Sequence, residues 1–170
     1  MNLDFASFVA FDFETTGLSS CDKITEIGAV KVEQRRLTER FSRLVNPGIP
    51  IPRMIQELTS ITDTMVSDAP AIESVLPEFL RFIGDYPLIA HNAKFDCRFL
   101  YRELAALGRF IHNPVADTVT LARRVWSGLP SYKLSALTER FHIEQSSAHR
   151  AWCDAEVTAR LYLLMGENRA

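Results

Sequence analysis

The sequence predicts an α/β domain whose first strands form an antiparallel meander, and three observations point to it. A continuously apolar run, Phe8-Val9-Ala10-Phe11, ends in two acids one residue apart, Asp12 and Glu14, as expected of a central strand covered on both faces. Two more strand-like stretches follow at hairpin spacing, which predicts an antiparallel meander. Beyond them, apolar residues recur mainly at helical spacing, interrupted by two short apolar strands. The 170 residues, 47% of them hydrophobic, are enough for one core, and residues 1–170 read as one domain.

In chain order, Phe8 to Glu14 is the first strand, with Asp12 and Glu14 on one side and Phe11 and Phe13 on the other. The second strand runs from Lys23 to Val32, and a polar turn around Gln34-Arg35-Arg36 leads to a third from Arg40 to Val45. Three prolines between Asn46 and Pro52 exclude regular structure there. A short helix is expected over Met54 to Leu58, followed by a capping turn through Asp63. The spacing of Ile72, Val75, Leu76, Phe79, Leu80 and Ile83 predicts a helix that stops at Gly84. Tyr86 to Ala90 is a short strand, and His91-Asn92-Ala93 leads into a helix from Lys94 to Leu107. A last strand at Pro114 to Thr118 opens a helix through Trp126, and another helix covers Leu134 to Phe141. The final helix begins between Ala148 and Ala151 and runs to Met165.

Composition narrows the function classes. A net charge of -2 lacks the basic excess of proteins held to nucleic acid mainly by phosphate neutralisation, so any such partner is gripped locally. Three cysteines without a C-x-x-C pair argue against a disulfide framework or zinc site and for a reducing, cytoplasmic setting. There is no leader-like N-terminus and no apolar run near the ~20 residues needed to cross a bilayer.

The acids carry the chemistry. Asp96 shares a helical stripe with Phe99, Leu100, Leu104 and Leu107, and Asp154 shares one with Val157, Leu161 and Leu164, so both aim inward as Asp12 and Glu14 do. Four like charges in one buried place need compensation, which a divalent cation supplies most simply. Hard oxygen donors favour Mg²⁺ or Mn²⁺ over zinc. Two such ions can hold a phosphodiester, acidify a water and stabilise the leaving oxygen. His149, five residues before Asp154 and off its helical face, belongs on the preceding loop, where an imidazole can take a water's proton near neutral pH. Arg150 is placed to touch phosphate, Arg123-Arg124 reads as a solvated helix face, and Trp126 and Trp152 read as core anchors.

Asp-Phe-Glu-Thr-Thr-Gly (12–17), His-Asn-Ala-Lys-Phe-Asp (91–96) and His-x-x-x-x-Asp (149–154) resemble, in order and spacing, the three motifs of the DEDDh, or DnaQ-like, 3'-5' exonuclease superfamily. The segments 46–52 and 57–63 are further similar to the proofreading exonucleases of bacterial replicative polymerases, the epsilon subunit and the exonuclease domain of the gram-positive enzyme. The resemblance implies an RNase H-like fold with a five-stranded mixed sheet. It implies Asp12 bridging two Mg²⁺ or Mn²⁺ ions, Glu14 and Asp154 completing the tighter site, Asp96 on the second ion, and His149 as general base. It also implies that Thr15, Thr16, Gly17 and Leu18, with Leu58, His91 and Asn92, grip the last nucleotides of a strand. Structural readings of the same residues stay open: a simple chain turn at Thr15-Thr16-Gly17, a core Leu58, a helix-capping Asn92.

The expected activity is 3'-5' hydrolysis at single-stranded or mispaired DNA ends, releasing nucleoside 5'-monophosphates. An exoribonuclease trimming RNA ends, and a non-catalytic nucleic-acid or polymerase docking module, are the alternatives. The chain stops soon after its last helix, without a tail like that by which the epsilon subunit holds its polymerase. A stand-alone enzyme, a polymerase subunit and a domain of a larger enzyme all stay open.

Overall fold

Alternation along β1 (Phe8–Thr15) sets the architecture. In this computed structural model, which describes residues 5–145 and 149–167, Val9, Phe11 and Phe13 enter one core layer, while Phe8 and Ala10 enter another on the opposite face. Both layers are needed, because Phe8 through Phe11 have no exposed surface at all. β1 pairs antiparallel with β2 (Ile24–Glu33), and β2 with β3 (Arg36–Leu44). On its other side β1 runs parallel to β4 (Leu88–Ala90), which runs parallel to β5 (Val115–Asp117). The sheet order is β3-β2-β1-β4-β5, the five-stranded RNase H-like arrangement.

Three departures from the sequence reading have a local cause. β3 begins at Arg36 rather than Arg40, since its first five residues are exposed on an edge strand and all but Leu37 are polar, which gives no apolar alternation. Gln34 and Arg35 both take left-handed backbone angles (φ 49° and 65°), so they alone form the tight two-residue turn. The strand read from Tyr86 is ladder-paired only from Leu88.

α1 (Arg53–Thr59), α2 (Asp63–Val66) and α3 (Ile72–Ile83) follow the meander, with Ser60 closing α1 in a left-handed conformation and the Thr62 hydroxyl capping α2. α3 and α4 (Lys94–Ala106) cover the Val9-Phe11-Phe13 face. α5 (Thr118–Val125), α6 (Leu134–Arg140) and α7 (Ala151–Glu167) cover the Phe8-Ala10 face. Ala148, the earliest start expected for the last helix, lies outside the described residues. Trp126 packs on Phe141 at a ring separation of 4.1 Å, whereas Trp152 stays half-exposed under the Arg40 guanidinium. Among the described residues no helix is long and apolar enough to cross a membrane.

Candidate active site

The even-numbered face of β1 looks toward α7, so Asp12 and Glu14 project under the first turn of that helix, where Asp154 stands. Asp12, Glu14 and Asp154 each offer an oxygen, and these oxygens lie within 4.8 Å of one another. Asp96 reaches the same end of β1 from the opposite face. The parallel ladder with β4 ends at Ala10, and the Phe13 N–H, pointing the same way as the Val9 N–H that donates to Pro87, has no strand to bond. Asp96 takes over as acceptor at 3.0 Å, and is 2% exposed.

Electrostatics show how unbalanced this cluster is without a countercharge. Burial, then the neighbouring Asp96 and Glu14, push the Asp12 carboxyl well above the ordinary carboxylate range. Burial, then Asp154, raises Glu14 to about 8. Asp96 is raised to about 7 by burial, opposed by the Phe13 N–H, and Asp154 to about 6 by burial, opposed by His149 and Gln145. Gln145 Nε2 donates to Asp154 Oδ1. His149 lies just before α7 in a left-handed conformation (φ 58°), exposed, with its backbone N–H donated to Asp154. It therefore sits on the loop anticipated for it, beside the last acid.

The residues expected to grip substrate divide into two groups. In the first, side chains are spent on the turn itself. Thr15 Oγ1 donates to the Gly17 carbonyl at 2.7 Å, and Thr16 Oγ1 donates to Asp22 at 3.1 Å while accepting the Lys23 N–H at 3.0 Å. A Cβ on Gly17 would come within 2.6 Å of the Asp22 carboxylate. What this turn presents outward is backbone and Leu18, which is 77% exposed and whose carbonyl accepts from Arg98. The second group is open or tied elsewhere. Leu58 is 52% exposed and is no core residue; Asn92 is exposed, left-handed (φ 60°) and leaves α4 without a side-chain cap. Both His91 ring nitrogens are engaged, Nδ1 with the Thr118 hydroxyl at 2.8 Å and Nε2 with the Tyr132 carbonyl at 3.0 Å. Since a carbonyl only accepts, Nε2 carries the proton, and burial lowers the pKa of the ring.

Several supporting residues escaped the sequence reading. Arg150 does not stand free for phosphate: its guanidinium is held by the fully buried Glu26, because a fork of two donors matches one carboxylate better than solvent does. Gly28, opposite Asp12 in the β1–β2 register, leaves room for α7, since a Cβ there would lie 2.0 Å from the backbone of Ala151 and Trp152. Asp117, on the neighbouring strand, caps α5 and accepts the Ala93 N–H; those bonds hold its pKa low against burial, marking it as a structural acid. Glu26, facing Glu14 across the ladder, was the one with a readable signal, a charge at a position that alternation assigns to the interior.

Carboxylates converging at the carboxyl end of the central strand of an RNase H-like sheet define a metal-dependent phosphoryl-transfer site of the nuclease class. The model of the Exonuclease family matches residues 9–162, and the chain belongs to that family. The chain is 40% identical over 164 residues to the DNA polymerase III epsilon subunit of Aquifex aeolicus, covering 95% of this chain and 81% of that protein. It is 46% identical over 161 residues to the PolC-type DNA polymerase III of Caldanaerobacter subterraneus subsp. tengcongensis, covering 94% of this chain but spanning only 12% of that polymerase's length. Among solved structures, exonuclease X in complex with 5' overhanging duplex DNA superposes with a TM-score of 0.80 at 32% identity, covering 94% of this chain and 91% of the other.

Proposed function

We propose that residues 1–170 form one exonuclease domain that hydrolyses phosphodiester bonds stepwise from the 3' end of single-stranded or mispaired DNA, releasing nucleoside 5'-monophosphates. The observation that carries this reading is the meeting of Asp12, Glu14 and Asp154 oxygens within 4.8 Å, with Asp96 buried against the same strand end. Relatives that are replicative polymerase components, and a structural neighbour bound to DNA, support DNA as substrate and a DNA polymerase as partner in the cytoplasm.

The donor set fits two Mg²⁺ or Mn²⁺ ions: every ligand is a hard oxygen, and half-buried carboxylates within 4.8 Å of one another are stabilised by a shared cation. Bound there, the ions would neutralise the carboxylates, acidify the attacking water and stabilise the leaving 3' oxygen. Asp12 would serve both ions, Glu14 and Asp154 would complete one position, and Asp96 would serve the other. His149, exposed beside Asp154, takes the water's proton as general base. The backbone of Thr15 to Leu18, with Leu58 and Asn92, meets the terminal nucleotide, and His91 fixes the neighbouring loop.

The test is digestion of a 5'-labelled single-stranded DNA with Mg²⁺ or Mn²⁺, beside a matched RNA. A ladder descending one nucleotide at a time from the 3' end, abolished by chelator and by Asp12→Ala, is expected. Cleavage within the strand, or shortening that persists with chelator, overturns the reading.

A further inference from the structure

A cleft of about 630 Å³ opens beside the carboxylate site, and apart from its His91–Asn92 rim it has no role assigned above. Its volume lies within the ~300–1,000 Å³ range of small-molecule pockets. Its near rim is His91 and Asn92. Two residues beyond the last paired position of the β1–β4 ladder, β1 carries Asp12 and the segment leaving β4 carries His91, so the cleft begins one strand over from the carboxylates. Both lie at the carboxyl ends of parallel strands, where open α/β sheets take their ligands.

The far wall is rigid and basic. Tyr132 is tied at both ends, its carbonyl to His91 and its hydroxyl to the Trp126 carbonyl and the Leu129 N–H. Over its ring, at 4.4 Å, lies the Arg123 guanidinium, and Lys133 follows in sequence along the same wall. Arg123, exposed as the solvated helix face anticipated, also lines this cleft. No Asp or Glu lines the cleft, and among the described residues neither Arg123 nor Lys133 has an acidic partner. In a chain of net charge -2, two uncompensated cations and an aromatic face beside a cation site form a local exception. A basic groove with flat π surfaces is what a single strand needs, phosphates meeting the charges and a base stacking on the guanidinium.

We infer that this cleft is the subsite for the nucleotides upstream of the scissile bond, with Arg123 and Lys133 meeting their phosphates. The inference rests on the nuclease reading above. It explains how a chain without a basic excess holds a strand: the terminal phosphate goes to the carboxylate site and the next ones to a neutralising wall.

The test compares hydrolysis of (dT)2, too short to fill the cleft, with (dT)8, using wild type and the double variant Arg123→Gln, Lys133→Gln. The expected result is a rise of about tenfold in KM for (dT)8, a smaller effect on (dT)2, and a slope of log KM against log salt shallower by about 0.7 for each phosphate no longer neutralised. Arg123→Lys with Lys133→Arg should restore the slope. An equal effect on both lengths, or an unchanged slope, overturns the subsite. If wild type releases nucleotide from neither oligomer, it is the nuclease reading itself that falls.

Discussion

Arg150 and Glu26 meet in a two-pronged contact, Nε donating to Oε2 at 3.0 Å and Nη2 donating to Oε1 at 2.9 Å. Glu26 has no exposed surface, accepts the Ala151 N–H at 3.1 Å as well, and faces Glu14 across the β1–β2 ladder. One carboxylate thereby fastens the second strand to the start of α7, with His149 just before the joint and Asp154 just after it. Removing it as Glu26→Ala leaves a guanidinium and a buried N–H without their acceptor. A loss of about 3 kcal/mol in unfolding free energy, read by urea denaturation, is expected. Arg150→Lys keeps the charge but loses the fork, and should cost less.

The same joint depends on Gly28. A methyl group there would lie 2.0 Å from the Ala151 and Trp152 backbone, so Gly28→Ala must push the first turn of α7 away from the sheet. Asp154 moves with it. Since a displacement near 1 Å at a reacting centre can cost about a hundredfold in rate, hydrolysis should fall by that order in a protein that remains folded. Steady-state kinetics beside circular dichroism checks this.

Crowded carboxylates favour function at the expense of the metal-free fold. Asp12 is raised by burial and by Asp96, Glu14 and Asp154 together, so Asp12→Asn should stabilise the metal-free protein by about 1 kcal/mol. The same change should lower hydrolysis at least about a hundredfold and remove most of the thermal stabilisation by Mn²⁺. Thermal melts with and without Mn²⁺ read both effects.

The pH dependence follows with a definite sign. Glu14 at about 8, Asp96 at about 7 and Asp154 at about 6 all bind protons more tightly in the folded metal-free protein than carboxyls do in the unfolded chain. Folded protein then holds more protons than unfolded across that interval, so metal-free stability is greatest near the ordinary carboxylate range and falls as pH rises toward 8. Cation binding displaces those protons, so stabilisation by Mg²⁺ should grow over the same interval. A midpoint temperature that rises from pH 5 to pH 8 without metal would contradict this.

Local pattern determined a large part of this protein. Alternation in Phe8 to Glu14 put both acids on one face, and helical spacing aimed Asp96 and Asp154 inward, because both signals come from residues a few positions apart whose side-chain directions the backbone fixes. The start of β3 was hidden because an edge strand with polar faces gives no apolar rhythm. The Asp12, Glu14 and Asp154 cluster is the one the motif resemblance implied, but only the folded chain decided that Arg150 answers to Glu26 and that Gly28 clears the way for α7. Those relationships join residues more than a hundred positions apart, 124 in the case of Arg150 and Glu26. Nothing in the neighbourhood of either residue encodes such a distance, and packing α7 across the sheet creates it.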